Sequence, residues 1–127
     1  MIVALDVGLK RIGVAVSPDK KLSLPSEPII RKNRNQAAND TLKMLEAKNA
    51  DILVVGLPRG GSSEDEMERR IKHFVSLINF TGKIYYQDES FSSHEANEFV
   101  SDKKKSGRLD SVAASIILER FLSFKIV

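Results

Sequence analysis

The first thirty residues alternate between short apolar runs and turn residues. Apolar runs rich in β-branched residues occupy Ile2–Val7 and residues 12–16, and the segment that begins at Gly8 between them predicts a hairpin turn. The next extended segment, residues 22–30, contains two prolines. Because proline has no N–H to donate to a sheet ladder, this segment is predicted to be an edge strand. The chain therefore opens with a three-stranded antiparallel meander.

Helical and strand-like patterns then follow one another. Ala38, Leu42 and Leu45 have helical spacing and predict a first helix that ends near Asn49. The unbroken apolar run at 52–56 is typical of a parallel strand that is covered on both faces.

The second half of the chain repeats this alternation. Apolar residues at helical spacing predict a helix across 67–78, and residues 83–87 predict a strand that ends at the acidic pair 88–89. A short helix is predicted at 92–100. The final helix carries an apolar face across 112–124.

This order of elements predicts a single α/β domain that covers residues 1–127. Strands that alternate with helices imply right-handed crossovers, which add parallel strands to the antiparallel meander. The result is a mixed five-stranded sheet flanked by helices, which is the ribonuclease-H-like architecture. A chain of 127 residues, 42% of them hydrophobic, is long enough for one core but too short for two ordinary domains.

Composition excludes several classes of function. The sequence has no cysteine, which excludes disulfides, thiolate metal sites and thiol catalysis. The N-terminal apolar run has no basic region before it, and no stretch approaches the ~20 apolar residues of a membrane span. We therefore expect a cytoplasmic protein that does not contact a membrane.

The formal net charge is only +3, but the basic residues are clustered. Lys10 and Arg11 follow Asp6, and Arg59 follows the strand at 52–56. A second cluster precedes Asp110 and consists of Lys103, Lys104, Lys105 and Arg108. Basic clusters beside acidic residues suit the binding of nucleic-acid phosphates, without readout of base sequence. The alternative interpretation of the lysine run is a solvated loop.

Three acidic residues are predicted to converge. Asp6 lies at the end of a strand that we expect to be central, Glu89 follows the strand at 83–87 together with Asp88, and Asp110 opens the final helix. Ligand sites in open α/β sheets gather at the carboxyl ends of strands. Each acid also has a structural alternative. In that interpretation Asp6 accepts hydrogen bonds from the amides of the turn, Asp88 or Glu89 stabilises the start of a helix, and Asp110 caps the final helix.

Such a cluster predicts a divalent cation. Three neighbouring carboxylates would repel one another and raise their pKa values unless a cation joined them. Mg²⁺ or Mn²⁺ prefers oxygen ligands, and two-metal phosphoryl transfer needs no nucleophilic side chain. Of the two histidines, His73 is predicted to have a structural or surface role, and His94 is predicted to be a solvated residue at a helix start.

Five short segments spread over nearly the whole chain carry a family resemblance. They are Ala-Leu-Asp-Val-Gly at 4–8, Lys-Arg-Ile-Gly-Val-Ala-Val at 10–16, Val-Val-Gly-Leu-Pro at 54–58, Asp-Glu-Ser-Phe-Ser-Ser at 88–93 and Asp-Ser-Val-Ala-Ala at 110–114. In this order they resemble the YqgF/RuvX family of pre-16S rRNA nucleases. That family belongs to the Holliday-junction-resolvase branch of the ribonuclease-H-like superfamily.

The resemblance implies a metal-dependent endonuclease with Asp6, Glu89 and Asp110 as its acidic triad. Its implied role is maturation of the 5′ end of small-subunit ribosomal RNA, with pre-rRNA or a ribosomal particle as partner. Branched DNA is the alternative substrate; symmetric junction cutting would require a homodimer, whereas RNA trimming would not. Ser90 stands where the family often has arginine, and the loop after Pro58 is shorter than usual, but no implied ligand is lost.

Two other function classes share parts of this pattern. Sugar kinases and actin-like ATPases open with a similar acid, glycine and hairpin, but they need two such domains around a cleft, and this chain has the length of one. A non-catalytic module that binds nucleic acid or ribosomal particles would retain the carboxylates for stability. Dependence of cleavage on a divalent metal distinguishes that module from an enzyme.

Overall fold

A computed structural model describes residues 1–58, 64–88 and 108–126, with side chains described for 1–58, 66–88 and 111–123. These residues form five strands and three helices. The strands are β1 (Ile2–Val7), β2 (Arg11–Ser17), β3 (Leu24–Ile30), β4 (Ile52–Leu57) and β5 (Lys83–Asp88). The helices are α1 (Arg34–Ala47), α2 (Glu64–Ile78) and α3 (Arg108–Ile126).

The five strands form one mixed sheet in the order β3-β2-β1-β4-β5. β1 pairs antiparallel with β2, and β2 pairs antiparallel with β3, which confirms the predicted meander. β4 and β5 extend the sheet in parallel on the other side of β1. β1 is therefore the central strand. We call the end of the sheet where β1, β4 and β5 finish the carboxyl end, and the opposite end the amino end.

β3 is an edge strand, as its prolines predict, but it begins at Leu24 rather than at residue 22. The Asp19 carboxylate accepts hydrogen bonds from the backbone N–H groups of Lys21 and Leu22, at 2.9 and 3.0 Å. Those N–H groups therefore belong to a side-chain-stabilised turn, and the sheet ladder starts after it.

The pairing of β2 with β3 contains a bulge. Ile12 pairs with Ile29, but Val14 pairs with Ser26, so β3 has one more residue than β2 in this interval. Pro28 lies in this interval and has no N–H for the ladder. The bulge thus interrupts the ladder close to the carboxyl end of the sheet.

The helices cover the two faces of the sheet unequally. α1 and α2 pack on one face, where the largest fully buried side chains include Phe74, Leu5 and Leu53. Of the three described helices, α3 packs on the other face, where Ala114 is buried among Ala4 and Ala15. Strand alternation separates the faces: in β1, Val3 and Leu5 belong to the first cluster and Ile2 and Ala4 to the second.

Helix boundaries refine the predictions from sequence. Asn33 caps α1 in a capping box with Gln36. The helix ends at Ala47, and Asn49 follows with a left-handed φ of 54°. α3 begins at Arg108, so our placement of Arg108 in the segment before the helix was wrong. Asp110 is accordingly the third helical residue instead of the opening one or the cap, a position at which the helix dipole still favours an acid.

The predicted helix at 92–100 lies outside the described residues. None of the three described helices contains an apolar stretch long enough to cross a membrane.

Candidate active site

Asp6 lies at the carboxyl end of the central strand. It is half-buried, and it pairs with Gly13 of β2 in the antiparallel register. Ile2 and Ala4 face α3, so strand alternation directs Asp6 toward the same side. The carboxylate predicted to be central thus belongs to the α3 face of the sheet.

The turn after Asp6 is closed by its own backbone. The Gly8 N–H donates to the Arg11 carbonyl at 3.0 Å, and a Cβ added at Gly8 would lie 2.5 Å from that oxygen. Glycine is therefore required at this close approach. The Gly8 amide is used within the turn, which argues against the alternative in which it serves Asp6.

Ser111 fixes the beginning of α3 to the sheet. Its buried hydroxyl accepts a hydrogen bond from the Val14 N–H at 3.3 Å and donates to the Ser26 carbonyl at 2.6 Å. Val14 and Ser26 are the paired residues beside the bulge. Val14 follows Gly13, the partner of Asp6, so the backbone of Asp110 is held beside the strand that neighbours Asp6.

A second contact lies one turn further along α3. The Ser23 hydroxyl lies 2.7 Å from the Ser115 carbonyl, to which it donates, and 2.8 Å from the Ser115 hydroxyl. Between the two serine contacts, Ala113 and Ala114 are buried. These small side chains allow the final helix to approach the sheet closely.

Asp88 is directed to the opposite face. In β5, the Tyr85 ring packs against Phe121 of α3 with centroids 5.2 Å apart, whereas the Tyr86 ring lies 5.3 Å from the Lys72 ammonium of α2. Asp88 is two residues after Tyr86, so alternation directs it toward the α2 face, and its side chain is exposed. Asp88 and Asp6 therefore share an end of the sheet but not a face.

Only part of the predicted triad lies within the described residues. It describes the Asp6 side chain and the backbone of Asp110, while Glu89 lies outside the described residues. Among the described side chains, no three His, Cys, Asp or Glu residues form a group that could hold a metal ion. The triad therefore stays a prediction.

Only some of the predicted nucleic-acid contacts lie within the described residues. Lys10 and Arg11 are exposed on the turn after Asp6. Arg108 is the first residue of α3. The remaining predicted contacts lie outside the described residues: Arg59, Lys103, Lys104 and Lys105.

The interpretation from sequence missed a basic group next to this turn. Arg31 donates from Nη1 to the Gly8 carbonyl at 2.9 Å, and its guanidinium lies 5.2 Å from the centre of the Phe74 ring. Lys32 and Arg34 follow it and are exposed. The signal was the run Arg-Lys-Asn-Arg at 31–34, which reads as a polar connection until the fold brings it to the carboxyl end.

The amino end of the sheet has a different character. A cleft of about 370 Å³ between the ends of α1 and α2 is lined by residues that include Asn49, Asn79 and Phe80, and not by Asp6. Asp51 accepts hydrogen bonds from Lys20 at 2.9 Å and from the Met1 amino group at 3.1 Å. These cations lower the pKa of Asp51 from 3.8 to about 2.

Only one of the two histidines lies within the described residues. His73 is exposed on α2, which confirms a surface position. His94 lies outside the described residues.

The fold agrees with comparisons with known proteins. A model of the RuvX family, described as Holliday junction resolvase, matches residues 1–124. The chain belongs to the RuvX family. Two relatives named as pre-16S rRNA nucleases are similar over almost their full length. The one from Campylobacter lari is 54% identical over 93% of this chain and 94% of its own. The one from Sulfurovum sp. is 55% identical over 94% of this chain and 96% of its own.

Solved structures confirm the fold of this RuvX-family chain. T. thermophilus RuvC in complex with a Holliday junction substrate has a TM-score of 0.60 and 12% identity, covering 99% of this chain and 96% of that chain. Fowlpox virus resolvase in complex with Holliday junction DNA has a TM-score of 0.54 and 14% identity, covering 99% of both chains. The predicted ribonuclease-H-like architecture is thus confirmed.

Proposed function

We propose that this RuvX-family chain is a metal-dependent endonuclease that hydrolyses nucleic-acid phosphodiesters and processes the 5′ end of pre-16S rRNA in the cytoplasm. The names of relatives more than 50% identical over nearly the whole chain support the substrate. The family description supports the reaction class.

One observation carries the proposal. The half-buried Asp6 ends a central strand on the face covered by α3, and the Ser111 hydroxyl ties the first turn of that helix to the adjacent strand. Asp110 immediately precedes Ser111. The backbone position of Asp110 beside the strand that neighbours Asp6 supports our proposal that these two acids act together.

Glu89 is proposed as the third acid on the basis of strand alternation. Tyr85 is on the α3 face and Asp88 is directed to the other, so the neighbouring acid in the sequence, Glu89, is the one that we propose joins Asp6. Asp88 is the last residue of β5, but its direction toward the α2 face argues against it.

The donor chemistry fits Mg²⁺ or Mn²⁺. Asp6, Glu89 and Asp110 would hold the ion, because carboxylates are the oxygen ligands that these hard cations prefer. When bound, such ions activate an attacking water and stabilise the leaving oxygen of a phosphodiester. The half-buried position of Asp6 keeps its carboxylate oriented toward the α3 face, and no side chain has to act as a nucleophile.

Basic residues are proposed to hold the phosphates on either side of the reacting one. Lys10 and Arg11 flank the Asp6 turn, and Arg108 begins the helix that carries Asp110. Arg59, Lys103, Lys104 and Lys105 are proposed to extend these contacts. All of them would bind by charge, which gives affinity without base readout.

The test compares two aspartates at the carboxyl end of the sheet, one in β1 and one in β5. Asp6→Asn and Asp88→Asn would be incubated with a labelled pre-16S rRNA fragment in Mn²⁺, in Mg²⁺ and in chelator. We expect the unaltered protein to cut only with metal and Asp6→Asn to cut at least about a hundredfold more slowly. Asp88→Asn should stay within a few-fold of the unaltered protein, because it faces away from Asp6.

Three outcomes would contradict the proposal. Cleavage in chelator would contradict metal dependence, and equal losses in both variants would contradict the assignment of Asp6. RNA binding without cleavage by the unaltered protein would favour a binding module. Circular dichroism of both variants checks that each remains folded.

A four-way DNA junction is the second candidate substrate. It is favoured by the description of the family and by the junction complexes of two proteins that share the fold. Paired incisions in the junction, with a dimeric protein in solution, would move the assignment from RNA processing to junction resolution. A monomer that cuts only the RNA fragment would support the first candidate.

A further inference from the structure

Five basic residues meet at the carboxyl end of the sheet on the side of β2 and β3. We call them the turn–helix basic surface; they are Lys10, Arg11, Arg31, Lys32 and Arg34. The Arg31 N–H donates to the Lys10 carbonyl at 2.9 Å, and Arg11 pairs with Ile30 in the sheet. These contacts join the β1–β2 turn to the connection between β3 and α1.

The segments that carry this surface are basic. Lys10, Arg11, Lys32 and Arg34 are exposed and Arg31 is half-buried. The segments 7–18 and 28–39 contain no acidic residue. In the described parts of the chain, none of the five forms an ion pair.

The backbone that presents Lys32 and Arg34 is fixed by one side chain. Gln36 Oε1 accepts from the N–H groups of Lys32 and Asn33 at 2.8 and 3.2 Å. Gln36 Nε2 donates to the Ile30 carbonyl at 2.9 Å and to the Asp40 carboxylate at 2.6 Å. The two cations therefore project from an ordered connection. Because this backbone is already ordered, ligand binding costs little backbone conformational entropy.

Arg31 has a different role from its neighbours. Its guanidinium is engaged by the Gly8 carbonyl and lies over the Phe74 ring, so it ties the turn to α2. The exposed cations then run from the turn beside Asp6 to the start of α1. Charges spread in this way along an edge suit a polymer of phosphates better than a single small anion.

We propose that the turn–helix basic surface binds the phosphate backbone of the nucleic-acid strand as it leaves the Asp6 site toward α1. This inference rests on the proposed function, because it takes a nucleic acid as the ligand. It adds Lys32 and Arg34 as contacts on a part of the surface that the sequence did not indicate. Binding there depends on phosphate charge and not on base identity.

The test compares two pairs of substitutions with the same change in net charge. Lys32→Ala/Arg34→Ala removes two cations from the surface, and Lys21→Ala/Lys43→Ala removes two exposed cations elsewhere. Either pair lowers the formal charge from +3 to +1. Binding of a labelled pre-16S rRNA fragment and of a labelled four-way DNA junction would be measured in chelator by fluorescence anisotropy over a range of salt concentrations.

We expect the first pair to bind both probes about tenfold more weakly at low salt, with a log–log salt dependence shallower by about one unit per lost contact. The second pair should bind like the unaltered protein. If both pairs weakened binding equally, the change in net charge alone would explain the effect, and the inference would be overturned. Unchanged binding by the first pair would overturn it as well.

The outcomes separate this inference from the proposed function. If the first pair binds weakly while the unaltered protein binds but never cuts, the surface is supported and the nuclease activity is not. If metal-dependent cleavage is observed and the first pair binds normally, the nuclease is supported and the surface is not. Failure of the unaltered protein to bind either probe would contradict both.

Discussion

The two faces of the sheet are built from side chains of different size. The face under α1 and α2 is filled by large residues such as Leu5, Leu53 and Phe74. The face under α3 presents Ala4 and Ala15 and is reached by the hydroxyls of α3. The first face has the larger cluster of buried apolar residues, and on the second a hydroxyl of α3 bonds to the strand backbone. The face under α1 and α2 therefore contributes mainly to the stability of the fold, whereas the face under α3 positions the candidate site.

The largest effect on stability is expected on the first face. Phe74→Ala would remove a ring that is 1% exposed and would take away the surface against which Arg31 stacks. We expect a loss of about 3–5 kcal/mol in the free energy of unfolding, measured by urea denaturation. Phe80→Ala, at a half-buried position at the amino end, should cost clearly less. Equal losses would argue against a dominant role for this core.

A smaller effect with a functional consequence is expected on the second face. Ser111→Ala would leave the Val14 N–H and the Ser26 carbonyl without this partner, at a cost of about 1–3 kcal/mol. Because this hydroxyl holds α3 beside Asp6, the Mn²⁺ concentration for half-maximal cleavage should also rise.

Ser115→Ala is the matched control on the same helix. The Ser23 hydroxyl can still donate to the carbonyl of residue 115, so the loss of stability should be smaller and the Mn²⁺ requirement should not change. In both variants the Mn²⁺ concentration for half-maximal cleavage could rise in proportion to the loss of stability. That result would contradict a positioning role for Ser111.

The smallest effect is expected at a residue that belongs to neither face. Asp51 is 53% exposed, and exposed ion pairs contribute about 0.2–1 kcal/mol, so Asp51→Asn should cost less than about 1 kcal/mol at pH 7. Its folded pKa of about 2 is below the ordinary 3.8. The contribution is therefore complete above about pH 4 and is lost as the pH falls toward 2.

Urea denaturation at several pH values checks this sign. The difference between Asp51→Asn and the unaltered protein should shrink on acidification. A difference that grows toward acid would contradict the ion-pair explanation.

Most of the sheet could be predicted because its signals are local. Apolar runs, prolines and helical spacing identify β1 to β5 and the three helices, and the alternation of strands with helices gives the parallel extension. The start of β3 could not be predicted, because it depends on whether the Leu22 N–H joins the ladder or the Asp19 carboxylate. That competition is decided by geometry beyond the pattern of residues.

The candidate site was predictable only in part. Strand ends identify Asp6, but the suitability of Asp88 depends on which face its side chain takes, and this follows from the contacts of Tyr85 and Tyr86. Lys32 and Arg34 lie beside the turn after Asp6 because the Arg31 N–H donates to the Lys10 carbonyl. Contacts between segments twenty or more residues apart leave no periodic signal in the sequence.

The hydroxyl of Ser111 also sets an order of events during synthesis. It joins residues 97 and 85 positions earlier in the chain, whereas the meander that it contacts is formed by neighbouring strands. At about 5–20 residues per second, α3 leaves the ribosome some 5–20 s after β2. Through that interval α3 does not yet cover the Asp6 face, so the growing chain can build its sheet before this helix packs on it.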